Sequence, residues 1–134
     1  MSTNTQIIED ALGLLGIISE SETASAEQAA HGLRRLNQML ALWEDVDKIS
    51  LGYFAQTVAS DDCPLPAWAE KGVAGHLALD LAPHYHATIS AEGAKVIADG
   101  YEAILRNVFN ANLPTANLSH LGGGNARYNI ETDT

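Results

Sequence analysis

The sequence predicts an all-α protein: a bundle of about four helices with a short extended or hairpin excursion and a flexible C-terminal arm. Three observations favour this class. Apolar residues recur at steps of three and four along four stretches of the chain. A capping-box sequence stands before each of the first two stretches. Alanine is frequent within these stretches, and small residues let neighbouring helices approach closely.

The first helix begins near Thr3, because Thr3 and Gln6 have the spacing at which each side chain accepts a hydrogen bond from the backbone amide of the other. Gly16 follows the apolar face and suits a left-handed C-terminal cap. That face consists of Ile8, Leu12 and Leu15.

The second helix is marked by Ser25 and Gln28, which repeat the capping-box spacing. One continuous apolar seam follows, formed by Ala29, Leu33, Leu36, Leu40 and Trp43. A second stripe widens this face and consists of Met39, Leu42 and Val46. A helix that is apolar on two sides is either central in its domain or shared with a neighbour.

Residues 47–66 break the helical pattern, and the alternation over 49–58 predicts an extended segment or a short hairpin. Pro66 suits the first turn of a third helix, and we expect Pro83 to stop that helix. Its apolar face contains Val73, Ala74, Leu77, Ala78 and Leu81. Ser90 is the expected N-cap of a fourth helix. The buried stripe predicted there consists of Ala94, Ile97, Tyr101, Ile104, Leu105 and Val108.

The last stretch differs in composition, which divides the chain into a helical domain, 1–111, and a C-terminal arm, 112–134. The arm contains Pro114 and a hinge at Gly122–Gly124, and it sustains no helical or strand pattern. Spaced apolar residues indicate a segment that orders on a partner. The predicted anchors are Leu118, Leu121, Tyr128 and Ile130, with Arg127 making a charged contact.

Charge and composition exclude several classes of protein. The 134 residues carry 17 acidic and 7 basic side chains, a net charge of −10, so the surface repels phosphate and anionic lipid. A single cysteine, Cys63, excludes an internal disulfide and a cysteine-based zinc cage. One thiol also fits assembly in a reducing cytoplasm.

Several residues have side chains that can form chemical sites, but we expect no catalytic residue, cofactor or metal ion. His84 and His86 have a ligand spacing but lack a full set, and His31 and His120 have no spaced partners. Cys63 is interpreted as a turn residue without a catalytic base. Two groups of acids are compatible with glycoside hydrolysis, but solvated surface is the simpler interpretation. These are Glu44, Asp45 and Asp47, and the pair Asp61 and Asp62.

A resemblance to a known family rests on core and turn residues over roughly 5–110. The matching segments are Ala11 to Ile17, Glu22 to Glu27, Gly32 with Leu33, Leu36 to Leu40, Trp43, and Pro66 to Ala94. They resemble the tail accessory factors of short-tailed phages, also called packaged-DNA stabilisation proteins or head-to-tail adaptors. The resemblance implies a structural, non-enzymatic ring of about twelve subunits below the portal. Such a ring closes the DNA-filled head and provides the attachment site of the tail.

The partners implied are the portal, the tail nozzle or tail tube protein, and further copies of the chain. DNA would pass through the ring without sequence-specific binding, and the location would be the head–tail junction of the virion. The arm is expected to bind the portal or, as second choice, a neighbouring subunit.

Charges at the end of the second helix are expected to join subunits. Glu44, Asp45 and Asp47 crowd a C-terminus whose dipole disfavours negative charge, so a cation from a neighbour or the portal should compensate them. The candidate cations on other copies are Arg34, Arg35, Lys71 and Lys95. Two alternatives stay open: a small acidic regulatory protein that binds a basic host factor, and a muralytic hydrolase.

Overall fold

The computed structural model describes residues 2–19 and 21–112, and over these it confirms the all-α class. Its helices are α1 (Asn4–Leu14), α2 (Ala26–Asp45), α3 (Ala67–Tyr85) and α4 (Ala91–Asn112). The predicted arm anchors Leu118, Leu121, Arg127, Tyr128 and Ile130 lie outside the described residues. None of the described helices is both long enough and apolar enough to cross a membrane.

Helix α3 occupies the centre, since it packs against each of the other three helices. Its buried residues point in several directions around the helix, as expected for an element surrounded by neighbours. They are Ala69, Gly72, Val73, Ala74, Gly75, Leu77, Ala78 and Leu81. The same core takes in the seam of α2 from Leu33 to Trp43, together with Ile7, Ile8 and Leu12 of α1.

The capping signals in the sequence correspond to the observed helix starts. Thr3 and Ser25 are N-caps, and both form the reciprocal capping-box bonds with Gln6 and Gln28. Gly16 follows α1 with φ of 73°, the left-handed conformation predicted for it. These local interactions define where α1 and α2 begin and where α1 ends, and they depend on residues close together in the sequence.

Helices α3 and α4 cross at two glycines. A Cβ atom built on Gly72 would lie 2.7 Å from the carbonyl oxygen of Gly100, and one on Gly100 would lie 3.1 Å from the Cα of Gly72. Gly75 meets Ile97 further along the same crossing, where a Cβ would lie 3.0 Å from its side chain. The two helices therefore touch backbone to backbone, which only glycine allows.

Residues between α2 and α3 are extended and irregular, and the hairpin alternative does not form. One isolated antiparallel bridge joins Thr3 to Asp62. The segment instead serves the start of α1, whose first amides need acceptors. Asn4 N–H donates to Asp61 O and Thr5 N–H donates to Ala59 O, each at 2.9 Å.

A polar network ties this segment to α1 and α2. The side-chain oxygen of Asn37 accepts hydrogen bonds from Tyr53 Oη and from the amide of Gln56, and its nitrogen donates to Gln56 O at 2.9 Å. The fully buried Asn4 donates to Gln56 Oε1 at 3.1 Å and to Val58 O at 3.0 Å. These bonds hold an extended chain that has no sheet to pair with.

Pro83 does not stop α3, which corrects the sequence expectation. The helix continues to Tyr85, and Pro83 lies inside its last turn. Because proline lacks an N–H, one hydrogen bond is lost, but the end is closed by His86 with φ of 54°. The amide of Ala87 then donates to Ala82 O at 3.0 Å, and this closure fixes the true terminus.

Two predicted apolar stripes are only partly buried. Ser90 caps α4 by accepting a bond from the amide of Gly93 at 3.0 Å, and Ile97, Ile104 and Val108 enter the interior. Ala94, however, is exposed. On α2 the second stripe is divided: Met39 is half-buried against the core, while Leu42 and Val46 lie at the surface and do not complete the core of this domain.

Candidate functional site

The C-terminal end of α2 combines an apolar pair with a cluster of acids. Leu42 is 55 % exposed and Val46 is 65 % exposed, while Met39 of the same stripe is half-buried. Around them Glu44, Asp45 and Asp47 are all exposed. We call this surface the α2 end. It consists of Leu42, Glu44, Asp45, Val46 and Asp47.

Lys48, which no sequence pattern singles out, acts at this end. Lys48 adopts a left-handed backbone with φ of 59°, and its Nζ donates to the carbonyl oxygen of Asp45 at 2.9 Å. A cation at a helix C-terminus interacts favourably with the dipole and with unpaired carbonyls. One lysine thus offsets part of the helix-end charge, and three carboxylates remain exposed beside it.

The candidate cations lie in different surroundings. Arg35 Nε lies 3.1 Å from Asp80 Oδ2, so it forms an ion pair between α2 and α3 within the subunit. Arg34, Lys71 and Lys95 are exposed. The latter three are therefore better placed than Arg35 to meet acids of another molecule.

His31 has an aromatic partner that spacing did not reveal. Its ring stacks on that of His84, with centroids 4.0 Å apart and planes inclined by 27°, and Tyr85 meets both rings edge-on. Burial lowers the pKa of His31, and His84, Arg35 and Arg34 lower it further. The pair joins α2 to the end of α3, and no sequence pattern links residues 53 positions apart.

Within the described residues, His84 and His86 do not form a metal site with other ligands. His84 faces His31, while His86 supplies the left-handed cap of α3. Over residues 2–19 and 21–112, no group of three His, Cys, Asp or Glu side chains is arranged to hold a metal ion.

An aromatic cluster links α2, α3 and α4 near the α2 end. The ring of Trp43 lies 5.4 Å from those of His76 and Tyr101, and these two rings lie 4.3 Å apart. Burial lowers the pKa of His76, so it stays neutral near pH 7. Burial raises the pKa of Tyr101, and the negative charge of Asp47 adds to this effect.

Beside this cluster lies an open apolar groove, called here the α3–α4 groove, with a volume of about 470 Å³. Leu79 of α3 is 43 % exposed along one side. Residues of α4 form the other side at steps of four, three and four. They are Ala94, Ala98, Tyr101 and Leu105, and the acidic Glu102 also lines the groove.

A second groove, called here the acidic groove, runs between α1, α3 and α4 and encloses about 680 Å³. Exposed apolar residues, Leu14 and Val96, contribute to its lining. Acidic residues line it too: Glu9, Asp10, Glu22 and Glu70, with Lys71 as a basic neighbour. Burial raises the pKa of Asp10, and the charges of Glu9 and Glu70 raise it further.

Apart from the acids of the α2 end, the candidate catalytic residues named above are either buried in the core or belong to the extended segment that contacts α1. Cys63 is fully buried, and burial raises the pKa of its thiol to about 11, which keeps it protonated at neutral pH. Asp61 and Asp62 are exposed on the extended segment, where their backbone joins the start of α1. Trp43 is buried in the aromatic cluster, so it is not free to stack a sugar.

Comparison with known proteins adds no family assignment: no protein-family model matches this chain, and no curated protein is significantly similar to it.

Proposed function

We propose that this chain is a structural subunit of a phage head-to-tail adaptor, which forms a ring below the portal and joins the closed, DNA-filled head to the tail. The observation that carries the proposal is the α2 end. There Leu42 and Val46 stand one helical turn apart at the surface, within a cluster of exposed acids.

An apolar centre with a charged rim is the usual composition of a contact between proteins. Covering the exposed parts of these two side chains would stabilise a contact by a fraction of the about 1.5–3 kcal/mol that complete burial of such a side chain is worth. In a ring the same contact repeats at every interface, so a modest gain per subunit is multiplied by symmetry.

Acidic charge suits two parts of the proposed role, the contact between subunits and the passage of DNA. Exposed ion pairs contribute roughly up to 1 kcal/mol each, and Arg34, Lys71 and Lys95 are exposed basic groups available to a neighbour. A net charge of −10 also keeps the subunit from gripping DNA phosphates. DNA then slides past the ring with weak contact.

The test uses the full chain mixed with the portal protein of the same phage, and follows sedimentation. Wild-type protein should shift to a large complex. The variant Leu42→Ser/Val46→Ser should lose that shift while keeping its helical circular-dichroism signal, because both side chains are exposed. The matched control is Phe54→Ser, which removes an apolar side chain that is 66 % exposed on the extended segment.

Two results count against the proposal. Wild-type protein that sediments as free monomer at every portal concentration contradicts the adaptor role. Equal complex formation by wild type and Leu42→Ser/Val46→Ser contradicts the assignment of the α2 end as the subunit contact.

A second candidate is the binding of a basic partner segment, which the acidic groove favours. Apolar Leu14 and Val96 with carboxylates of Glu9, Asp10 and Glu70 fit a segment carrying both basic and apolar side chains. A defined one-to-one complex with a basic host protein, weakened by salt and by Asp10→Asn, would support this regulatory function over the ring.

A further inference from the structure

The α3–α4 groove is an apolar surface that the bundle leaves open. It is lined by Leu79, Ala98, Tyr101 and Leu105. The small side chains of Ala94 and Ala98 leave room beside α4 for another chain. A volume of about 470 Å³ is sufficient for a short segment with two apolar side chains.

The sequence just beyond α4 has the matching chemistry. Helix α4 is described as far as Asn112, and 22 further residues follow in the chain. Residues 113–121 contain no Asp, Glu, Lys or Arg, and they include Leu118 and Leu121. In a protein of net charge −10, an uncharged apolar segment meets the groove without the repulsion that an acidic one would meet at Glu102 and Asp47.

We propose that the α3–α4 groove of one copy binds residues 113–121 of a second copy. This inference rests on the proposed ring, because a head-to-tail contact needs two different surfaces on every subunit. A groove on one copy and a segment on the next supply those two surfaces, and the same exchange can repeat until the ring closes.

The distal half of the arm then has a separate role. Gly122–Gly124 separates residues 113–121 from the predicted anchors Arg127, Tyr128 and Ile130. With the first half held on a neighbouring subunit, the second half is directed away from it and is available to the portal.

Disulfide trapping between two single variants tests the contact in free protein. One protein carries Ala98→Cys in the groove, and the other carries Leu118→Cys with a mass tag. Native Cys63 gives little background because it is fully buried. Under mild oxidation of the mixture, the mixed disulfide should form about tenfold faster than with the control protein Ala55→Cys, because docking raises the local thiol concentration.

Two further variants check that the groove is responsible. Adding Leu79→Glu to the Ala98→Cys protein should return trapping to the control rate, because it places a charge against an uncharged segment. Adding Phe54→Glu, on the extended segment, should leave the trapping rate unchanged. Both side chains are exposed, so neither substitution threatens the core.

Each outcome decides the proposal. A trapping rate equal to that of Ala55→Cys overturns it. An Ala98→Cys/Leu118→Cys chain that closes only an internal disulfide, with no mixed dimer in the two-protein sample, shows that the segment occupies its own groove and also overturns it. The assay contains no portal and leaves Leu42 and Val46 intact in the parent proteins, so its failure is separate from failure of the adaptor function.

Discussion

The imidazole rings of His31 and His84 stack with their centroids 4.0 Å apart, and this contact joins α2 to the last turn of α3. Burial and the nearby charges of His84, Arg35 and Arg34 lower the pKa of His31, and only Asp80 acts in the opposite direction. Folding therefore favours neutral His31.

Stability should fall as the solution is acidified through the histidine range. The folded pKa of His31 lies below its ordinary value of 6.5, so the unfolded chain binds more protons in that interval. The stabilisation is present above pH 6.5 and is lost as pH falls towards the lowered folded pKa. His76, whose pKa is lowered by burial, adds to the same trend. Thermal unfolding between pH 8 and about pH 5 measures the slope.

The variant His31→Phe distinguishes the contribution of His31 from that of His76, because phenylalanine keeps an aromatic ring against His84 and cannot titrate. Its melting temperature should depend less on pH than that of the wild type. An unchanged slope would assign the effect to His76 and refute the role given to the stacked pair.

The glycine crossing of α3 and α4 predicts a second result. The Cβ atom of Gly72→Ala would lie 2.5 Å from Ile104 Cδ1 and 2.7 Å from the Gly100 carbonyl oxygen. A backbone atom cannot rotate away, so the helices must separate. We expect the free energy of unfolding to fall by about 1–3 kcal/mol, despite the better helix propensity of alanine.

Gly13→Ala is the matched control. It lies in α1, and a Cβ there would meet no atom within 4 Å. Its free energy of unfolding should therefore stay the same or rise by up to about 1 kcal/mol. If chemical denaturation finds the two alanine variants equally stable, backbone contact does not hold α3 against α4.

Reversing charge at the α2 end should weaken assembly and spare the monomer. Glu44→Lys/Asp45→Lys places cations where the helix dipole favours them, so helicity should hold or rise slightly. Attraction to basic groups of a neighbour would turn into repulsion. Sedimentation with portal at low salt should show a smaller complex fraction.

The control for this reversal is Asp61→Lys/Asp62→Lys, which makes the same change of charge on the exposed extended segment. It should leave assembly near the wild-type level. Equal losses from both pairs would mean that net charge, and not the α2 end, governs association.

Removing residues 113–134 tests the predicted arm. The buried core residues of the described chain all fall between Ile7 and Val108, so the truncated chain should keep a near-normal thermal transition. Portal attachment should be abolished or strongly weakened, since the distal anchors Arg127, Tyr128 and Ile130 are gone and residues 113–121 no longer join neighbouring copies. Unchanged affinity for portal in a binding titration would show that the arm is no anchor.

Local signals in the sequence predicted the helices well. Thr3 with Gln6 and Ser25 with Gln28 mark the starts of α1 and α2, because capping depends on residues three positions apart. The predicted end of α3, by contrast, was wrong. Pro83 is tolerated because the left-handed His86 closes the turn beyond it, and a left-handed histidine has no clear sequence signature.

Tertiary contacts explain what the sequence could not reveal. Asn37 reads as an ordinary polar helix residue, yet it holds Tyr53 and Gln56 of the extended segment. His31 meets His84 only because α2 packs on α3. The α2 stripe shows the same limit: its pattern allowed a central or a shared face, and only packing shows that Leu42 and Val46 lie at the surface.

Cryo-electron microscopy of the full chain mixed with the portal of the same phage tests the adaptor function most directly. The account predicts a closed ring of about twelve copies seated below the portal, with the α2 end at the contact between copies. Free monomers beside undecorated portals, at concentrations well above those of assembly in the host, would contradict it.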